Sequence, residues 1–312
     1  MNKFIYSDDN KRYHTLYYHN KHTYGSRVIK AVIDAGFTCP NTDGTCGTGG
    51  CMFCDGGSGY FTASDTVSIS EQIKREKERI YKKYPNALIT AYFQAHTNTY
   101  AKTDVLKKKY TEAIAGGIHS IAIATRADCI DDEKAAMIAS LGIPVTIELG
   151  LQTIHDETAA RMNRCHTYND FLSAYDLLKR HGLRVCVHLI NGLPGETTDM
   201  MLETAREVGK LRPDGVKIHL LHVIHGTGLC EMYENGSYVP LTKDEYIDIV
   251  VRQLEYLPPE TVIERITGDG DKRTLAAPLW SMDKIAVLGG IDKRMTELDI
   301  YQGDRYNTTK LP

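Results

Sequence analysis

Apolar segments recur six times along the chain, and each is followed by a stretch with helical periodicity. Strands that alternate with helices form parallel βαβ units, so the pattern predicts an α/β fold with no internal linker or second-domain break. The predicted strands are Val28–Ile33, Leu88–Phe93, Ser120–Ala124, Val145–Leu149, Arg184–Ile190 and Gly215–Leu221.

Capping signals mark several of the helices between these strands. Ser68-Ile-Ser-Glu71 predicts a capping box that opens a helix running to Tyr84. Glycines follow two more predicted helices, Asp131–Leu141 and Asn169–His181, as is usual after a helix C-terminus. Beyond residue 240 we expect the helix Lys243–Tyr256, a short strand at Val262–Ile266 and a final helix. We therefore divide the chain into an N-terminal arm (1–24), a core (25–240) and a C-terminal extension (241–312) that closes the open side of the core.

Composition narrows the class of protein. The 312 residues are 42% hydrophobic and 25% charged, which is ordinary for a soluble globular protein. No apolar run has the length of a membrane span or a signal peptide, so we expect a cytoplasmic protein. Cysteines in such a protein are metal ligands or buried thiols rather than disulfides. Four of the eight are widely scattered and are interpreted as core residues or bystanders: Cys129, Cys165, Cys186 and Cys230.

The other four cysteines lie close together near the N-terminus, within a glycine-rich segment. Cys39, Cys51 and Cys54 are separated by eleven and then two residues. Thiolate clusters suit iron or zinc, and three cysteines on a [4Fe–4S] cluster would leave one iron open to another ligand. Phe53 could shield one face of such a site. Cys46 leaves an alternative open, because all four cysteines together could form a closed Cys₄ zinc site, and a disulfide or an unliganded set is a further alternative.

Several short stretches, in this order and spacing, carry a resemblance to a known family. They are Asp34-Ala-Gly-Phe-Thr-Cys-Pro-Asn, Ala91-Tyr-Phe-Gln-Ala-His, Ala124-Thr-Arg-Ala-Asp-Cys129, Glu148-Leu-Gly-Leu-Gln-Thr153, His188-Leu-Ile-Asn-Gly-Leu-Pro-Gly-Glu196, Lys217-Ile-His-Leu-Leu-His222 and Arg265-Ile-Thr-Gly-Asp269. From about residue 11 to about residue 303 the chain resembles the radical S-adenosylmethionine (SAM) enzymes, in particular the Elp3-like branch and its YhcC/YtqA-like bacterial family. The resemblance implies a partial (β/α)₆ TIM-type barrel, a [4Fe–4S] cluster on Cys39, Cys51 and Cys54, and SAM as cofactor. Cys46 is then a bystander thiol.

The resemblance also assigns SAM contacts, and the motifs that carry them lie at or after the ends of predicted strands, where barrel enzymes place their chemistry. Gln152 and Arg164 resemble the ribose-binding glutamine and carboxylate-binding arginine of the oxygen-independent coproporphyrinogen oxidase branch. His188 stands where that branch has a ribose-binding aspartate, and a buried histidine bonded to backbone is the alternative. Glu148 either contacts the ribose hydroxyls or forms a structural ion pair, for example with Arg126. The full set of predicted cofactor-binding residues is Phe53, Gln94, His96, Arg126, Glu148, Gln152, Arg164, His188, Gly192 and Leu221.

No single motif identifies the substrate. The Elp3-like resemblance implies tRNA, with remodelling of the C5 side chain of the wobble uridine from the carboxymethylaminomethyl to the aminomethyl type. Because the chain ends soon after the barrel, we do not expect an acetyltransferase domain. A small metabolite or peptide substrate is the alternative, slightly favoured by the net charge of −3. A non-catalytic zinc-binding interaction module is a third hypothesis from another class.

Partners follow from these hypotheses. A radical SAM enzyme needs an electron donor such as flavodoxin or ferredoxin, and a tRNA enzyme needs a surface for phosphates and bases. The segment from Lys11 to Tyr24 interleaves cations with aromatic rings, as such a surface would. A packed N-terminal arm is the alternative interpretation of the same segment.

Overall fold

The computed structural model of the protein describes residues 3–56, 67–268 and 270–306. Asp269, in the last of the stretches quoted above, lies outside them. In chain order the helices and strands are α1 (Leu16–Tyr24), β1 (Val28–Ile33), α2 (Ile69–Lys83), β2 (Leu88–Phe93), α3 (Thr103–Ala115), β3 (Ser120–Arg126), α4 (Asp132–Ala139), β4 (Val145–Gln152), α5 (Asp156–Arg161), α6 (Tyr168–Arg180), β5 (Arg184–Asn191), α7 (Thr198–Leu211), β6 (Gly215–Leu220), β7 (Val223–Ile224), α8 (Gly228–Glu234), α9 (Lys243–Tyr256), β8 (Val262–Arg265), β9 (Leu275–Ala277) and α10 (Lys284–Glu297).

The central sheet is parallel throughout and has the order β1-β2-β3-β4-β5-β6-β8. All six predicted core strands are present, and the fold is the partial TIM-type barrel that the sequence predicted. The strand of the C-terminal extension, β8, is part of the central sheet itself. It pairs with β6 as a seventh parallel strand, with Gly215 opposite Val262.

Helices pack outside the sheet, and their local signals explain where they begin. The side chain of Ser68 accepts a hydrogen bond from the Glu71 backbone N–H at 3.3 Å and opens α2 as predicted. The predicted capping box is wrong, because the Glu71 side chain pairs with Arg75 one turn on and Ser68 alone caps the helix. Full capping boxes open α6 and α9 instead. Of the helices described, none combines the length and the apolar character that crossing a bilayer requires.

Charged side chains fill the centre of the barrel. Glu148 on β4 bonds Lys30 on β1 and Lys217 on β6, and its carboxylate lies 3.0 Å from His188 Nε2 on β5. Lys30 also reaches Glu264 on β8 at 3.4 Å, and Glu264 pairs with Arg184 at 2.7 Å. The first and last strands are therefore joined across the open side of the barrel by a side-chain ion pair.

The N-terminal arm lies at the amino ends of the strands. A cavity of about 610 Å³ there is lined by Leu16 and His19 of α1 and by the strand starts Val28, Ser120 and Val145. Tyr13 and His14 are buried. The packed-arm interpretation therefore describes this segment, while the division of the chain at residues 24 and 240 stays a prediction.

Candidate functional site

The predicted cysteine ligands meet at the opposite, carboxyl edge of the sheet. They lie in the loop after β1 and line a cavity of about 280 Å³ that opens above the barrel interior. Cys51 is buried, whereas Cys39 and Cys54 are partly exposed. Burial raises the pKa of the Cys54 thiol to about 11, so metal binding must displace its proton. Cys46 is exposed and does not line the cavity, and its role as a bystander stays a prediction.

The loop that carries these cysteines is folded around a buried asparagine. Asn41 is fully buried, its Nδ2 donates to Cys51 Sγ at 3.5 Å, and its carbonyl accepts from Gly50 N–H at 2.8 Å. A Cβ on Gly47 would lie 2.1 Å from Asn41 Oδ1, and Gly50 has a φ of 78°. Glycine is thus required where the loop turns tightly against its own side chains.

The spacing of the four cysteines argues against the closed zinc site. Zn–S bonds of about 2.3 Å in a tetrahedron place sulfurs roughly 3.8 Å apart. No three of the sulfurs of Cys39, Cys46, Cys51 and Cys54, all within the described chain, lie within 4.8 Å of one another. The sulfurs as placed therefore do not form a closed zinc site, and a [4Fe–4S] cluster on Cys39, Cys51 and Cys54 stays the prediction.

The predicted SAM pair lies beside this loop. Arg164 is buried and donates to Gly150 O at 3.1 Å and to His166 Nε2 at 2.8 Å. Burial, together with Arg164, lowers the pKa of His166 to about 4, so this imidazole is neutral and accepts the bond. Gln152 follows a bulge in β4 and has a φ of 74°, which is unusual for a residue with a side chain.

Both members of the pair keep hydrogen-bonding groups unused by the described protein atoms. Arg164 Nε and Gln152 Oε1 are buried without a partner there. Both residues line the cavity that the cysteines enter. The carboxylate of SAM offers an acceptor to Arg164 Nε, and its ribose hydroxyls offer donors to Gln152 Oε1, so the residues present fit SAM.

Arg126 has a different partner from the one predicted. Its guanidinium forms two bonds to Asp128, at 2.8 and 2.9 Å, and one to Arg164 O at 2.8 Å. The predicted ion pair with Glu148 is therefore wrong, because a carboxylate two residues away satisfies the guanidinium locally. Its Nη1 is buried without a protein partner among the described residues, and Arg126 lines the cavity.

Glu148 carries a negative charge at the centre of the barrel. Burial alone would raise its pKa, but Lys217 and Lys30 outweigh burial and hold the pKa well below its usual value. Glu148 therefore forms structural ion pairs, but its partners are the two lysines and not Arg126. A contact between Glu148 and the ribose stays a prediction. His188 is bonded to this carboxylate rather than to backbone, and burial lowers its pKa.

The remaining predicted contacts divide into two groups. Phe53, Gln94 and His96 line the cavity with the cysteines. Gly192 and Leu221 do not: Gly192 O accepts from Tyr238 OH at 2.8 Å, and Leu221 is buried in a small apolar cluster. Their contact with SAM stays a prediction.

Sequence reasoning missed several side chains that line the same cavity. They are Thr42, Tyr92, Thr97, Thr125, Lys217, His219 and Arg265. The signal for two of them was present, because Lys217 and His219 alternate along β6 and alternate residues share one face of a strand. Lys217 Nζ lies 3.5 Å from Tyr92 OH, which links the two strands inside the barrel.

A barrel of this strand order, with a three-cysteine loop beside buried and unused hydrogen-bonding groups, is the arrangement of a radical SAM enzyme. Comparison with known proteins agrees: the radical SAM superfamily matches residues 42–208, and the Radical_SAM C-terminal domain matches residues 213–297. The chain belongs to the radical SAM superfamily and, within it, to the Elp3-like YhcC/YtqA group. Proteins of this superfamily use a [4Fe–4S] cluster and SAM, and the chain is an enzyme.

Three relatives show how far the likeness extends. YtqA of Bacillus subtilis (strain 168) is 44% identical over 306 residues, which cover 97% of this chain and 95% of YtqA. The tRNA uridine(34) acetyltransferase of Methanocaldococcus jannaschii is 35% identical over 153 residues, 48% of this chain and 28% of that protein. The solved structure of the archaeal Elp3 of Methanocaldococcus infernus has a TM-score of 0.69 at 21% identity, covering 92% of this chain and 68% of that one, and supports the fold.

Proposed function

We propose that this enzyme acts on tRNA and remodels the C5 side chain of the wobble uridine from the carboxymethylaminomethyl to the aminomethyl type. The observation that carries the proposal is the relationship to the tRNA uridine(34) acetyltransferase over 48% of this chain. That match spans only 28% of the relative. It therefore supports a shared target base and shared radical chemistry, and it gives no support for acetyl transfer.

The cavity supports the radical part of the proposal. Cys39, Cys51 and Cys54 would hold the cluster. Arg164 would bind the carboxylate of SAM, and Gln152 would bind its ribose. When bound, the cluster and SAM supply reductive cleavage of SAM and a 5′-deoxyadenosyl radical. The protein's contribution is to position the reacting groups and to exclude water, and its buried arginines and barrel-filling side chains suit both tasks.

The tRNA must approach from the cysteine face, because the cavity opens at the carboxyl ends of the strands. The arm segment from Lys11 to Tyr24 lies at the amino ends, a strand length away, which is roughly 20 Å for six residues. We therefore do not place the reacting uridine against that segment. An electron donor such as flavodoxin or ferredoxin is part of the proposal, as the chain itself supplies one cluster site.

Mass spectrometry of nucleosides from total tRNA tests the proposal directly. A strain without the gene should accumulate the carboxymethylaminomethyl form and lose the aminomethyl-derived forms. Expression of the wild type or of Cys46→Ala should restore the profile, whereas Cys51→Ala should not. An unchanged profile in the deletion strain would eliminate the RNA substrate and leave the metabolite or peptide alternative.

A further inference from the structure

A second group of metal-ligating side chains lies outside the catalytic cavity, between β7 and the end of α8. It consists of His225, Cys230 and Glu234. Within residues 3–56, 67–268 and 270–306, it is the only set of three such side chains whose ligand atoms all lie within 4.8 Å of one another. We propose that these three residues bind one Zn²⁺ ion, with water in the fourth position.

The distances match a single tetrahedral ion. Cys230 Sγ lies 3.9 Å from His225 Nδ1 and 3.4 Å from Glu234 Oε1. Ideal Zn–S, Zn–N and Zn–O bonds at the tetrahedral angle place sulfur about 3.6 Å from each of the other two ligand atoms. The observed separations differ from this by a few tenths of an ångström, which side-chain rotation can supply.

The donor set selects for zinc. A thiolate, an imidazole and a carboxylate are a soft, a borderline and a hard ligand, and zinc sites use all three kinds. With a neutral imidazole the ligands carry two negative charges, which the ion balances. On binding, the Cys230 thiol proton passes to solvent and the sulfur takes the metal in its place.

The backbone holds the three side chains in position without the metal. His225 N–H donates to Thr274 O at 2.9 Å, and Cys230 N–H donates to Thr227 Oγ1 at 3.2 Å. Cys230 and Glu234 stand four residues apart on α8 and share one face of the helix. Cys230 is buried, while His225 and Glu234 are exposed, so the open coordination position faces solvent.

The helix that carries two of these ligands also contacts the loop that carries the cluster ligands. Leu229 N–H donates to Met52 O at 2.8 Å, and a Cβ on Gly228 would lie 2.6 Å from Met52 Cε. Met52 is adjacent to Cys51. A zinc ion bound to Cys230 would therefore hold α8 against the surface on which the cysteine loop packs. The proposal does not depend on the tRNA substrate.

Zinc and iron analysis of the anaerobically purified, cluster-loaded enzyme tests the site, because a loaded cluster keeps zinc off Cys39, Cys51 and Cys54. After exchange into a zinc buffer, the wild type should hold about one zinc and about four irons per chain. His225→Ala and Glu234→Gln should keep the iron and bind zinc at least about tenfold more weakly in chelator competition. Cys230→Ala should lose zinc altogether.

Glu231→Ala is the matched control, since Glu231 is an exposed carboxylate on the same helix outside the group. It should bind zinc like the wild type. Wild-type zinc affinity in both His225→Ala and Glu234→Gln would overturn the site, and so would a wild type without zinc at full iron content. Because the exposed variants replace surface side chains, loss of zinc with an unchanged circular dichroism spectrum cannot be ascribed to unfolding.

Discussion

The substitution Glu148→Gln probes the charged centre of the barrel. Glu148 is 1% exposed and is bonded by Lys30, Lys217 and His188. The amide keeps the shape of the side chain and removes its charge. Two ammonium groups are then left inside the barrel, and the nearest remaining carboxylate is that of Glu264, 3.4 Å from Lys30.

The loss of stability follows from that burial. Removing one partner of a buried ion pair costs about 3–5 kcal/mol, because the remaining charge is left uncompensated. At an unfolding entropy of about 2.1 cal/mol/K per residue, a chain of this length loses about 1.5 °C in Tm per kcal/mol, or about 5–8 °C in total.

The direction in which the Glu148 contribution to stability changes with pH follows from its pKa. The pKa of Glu148 in the folded protein lies well below its usual value of 4.5, so the unfolded chain takes up its proton first as the pH falls. The stabilisation by Glu148 is therefore fully present above pH 4.5 and declines below it. The difference in stability between wild type and Glu148→Gln should be constant near neutral pH and should shrink in acid.

Anaerobic urea unfolding followed by far-ultraviolet circular dichroism, at matched iron content, measures the effect. The double variant Glu148→Gln/Lys217→Met should lose less free energy of unfolding than the sum of the losses in the two single variants. The methionine removes one of the two lysine charges that Glu148→Gln leaves unpaired. Glu260→Gln, on an exposed carboxylate paired with Arg212, should leave the midpoint unchanged. A Glu148→Gln loss below about 1 kcal/mol, or strict additivity in the double variant, would refute an interdependent ionic centre.

Two further predictions concern the cofactors. After anaerobic reconstitution, alanine variants of Cys39, Cys51 and Cys54 should lose the cluster, whereas Cys46→Ala should retain about four irons per chain; an intact cluster in Cys39→Ala with loss in Cys46→Ala would reverse the assignment. Arg164→Ala should keep its iron but bind SAM about 30- to several thousand-fold more weakly, equivalent to about 2–5 kcal/mol, by equilibrium dialysis with labelled SAM. Wild-type affinity in that variant would show that the guanidinium serves another ligand.

The sequence predicted those features whose signals are local. Strand and helix positions follow from hydrophobic periodicity and caps, and the three cysteines fall in one loop. The charged centre was not predictable in this way, because Lys30 and Lys217 lie 118 and 69 residues from Glu148 along the chain. They meet only once the sheet curls. The predicted partner of Arg126 was wrong for the opposite reason. Asp128 lies only two residues away and competes for the guanidinium more effectively than the distant Glu148.

The contacts of the N-terminal arm also protect the sheet. Ile263 N–H on β8 donates to His14 O at 2.8 Å, and Thr15 forms a parallel bridge with Ile263. β8 is the last strand of the sheet, and an unpaired last strand offers its free N–H and C=O groups to other molecules. A chain shortened to begin after Tyr24 would uncover that row of groups. Such a chain should self-associate through β8. The arm thus covers part of a sheet edge at the opposite end of the barrel from the chemistry.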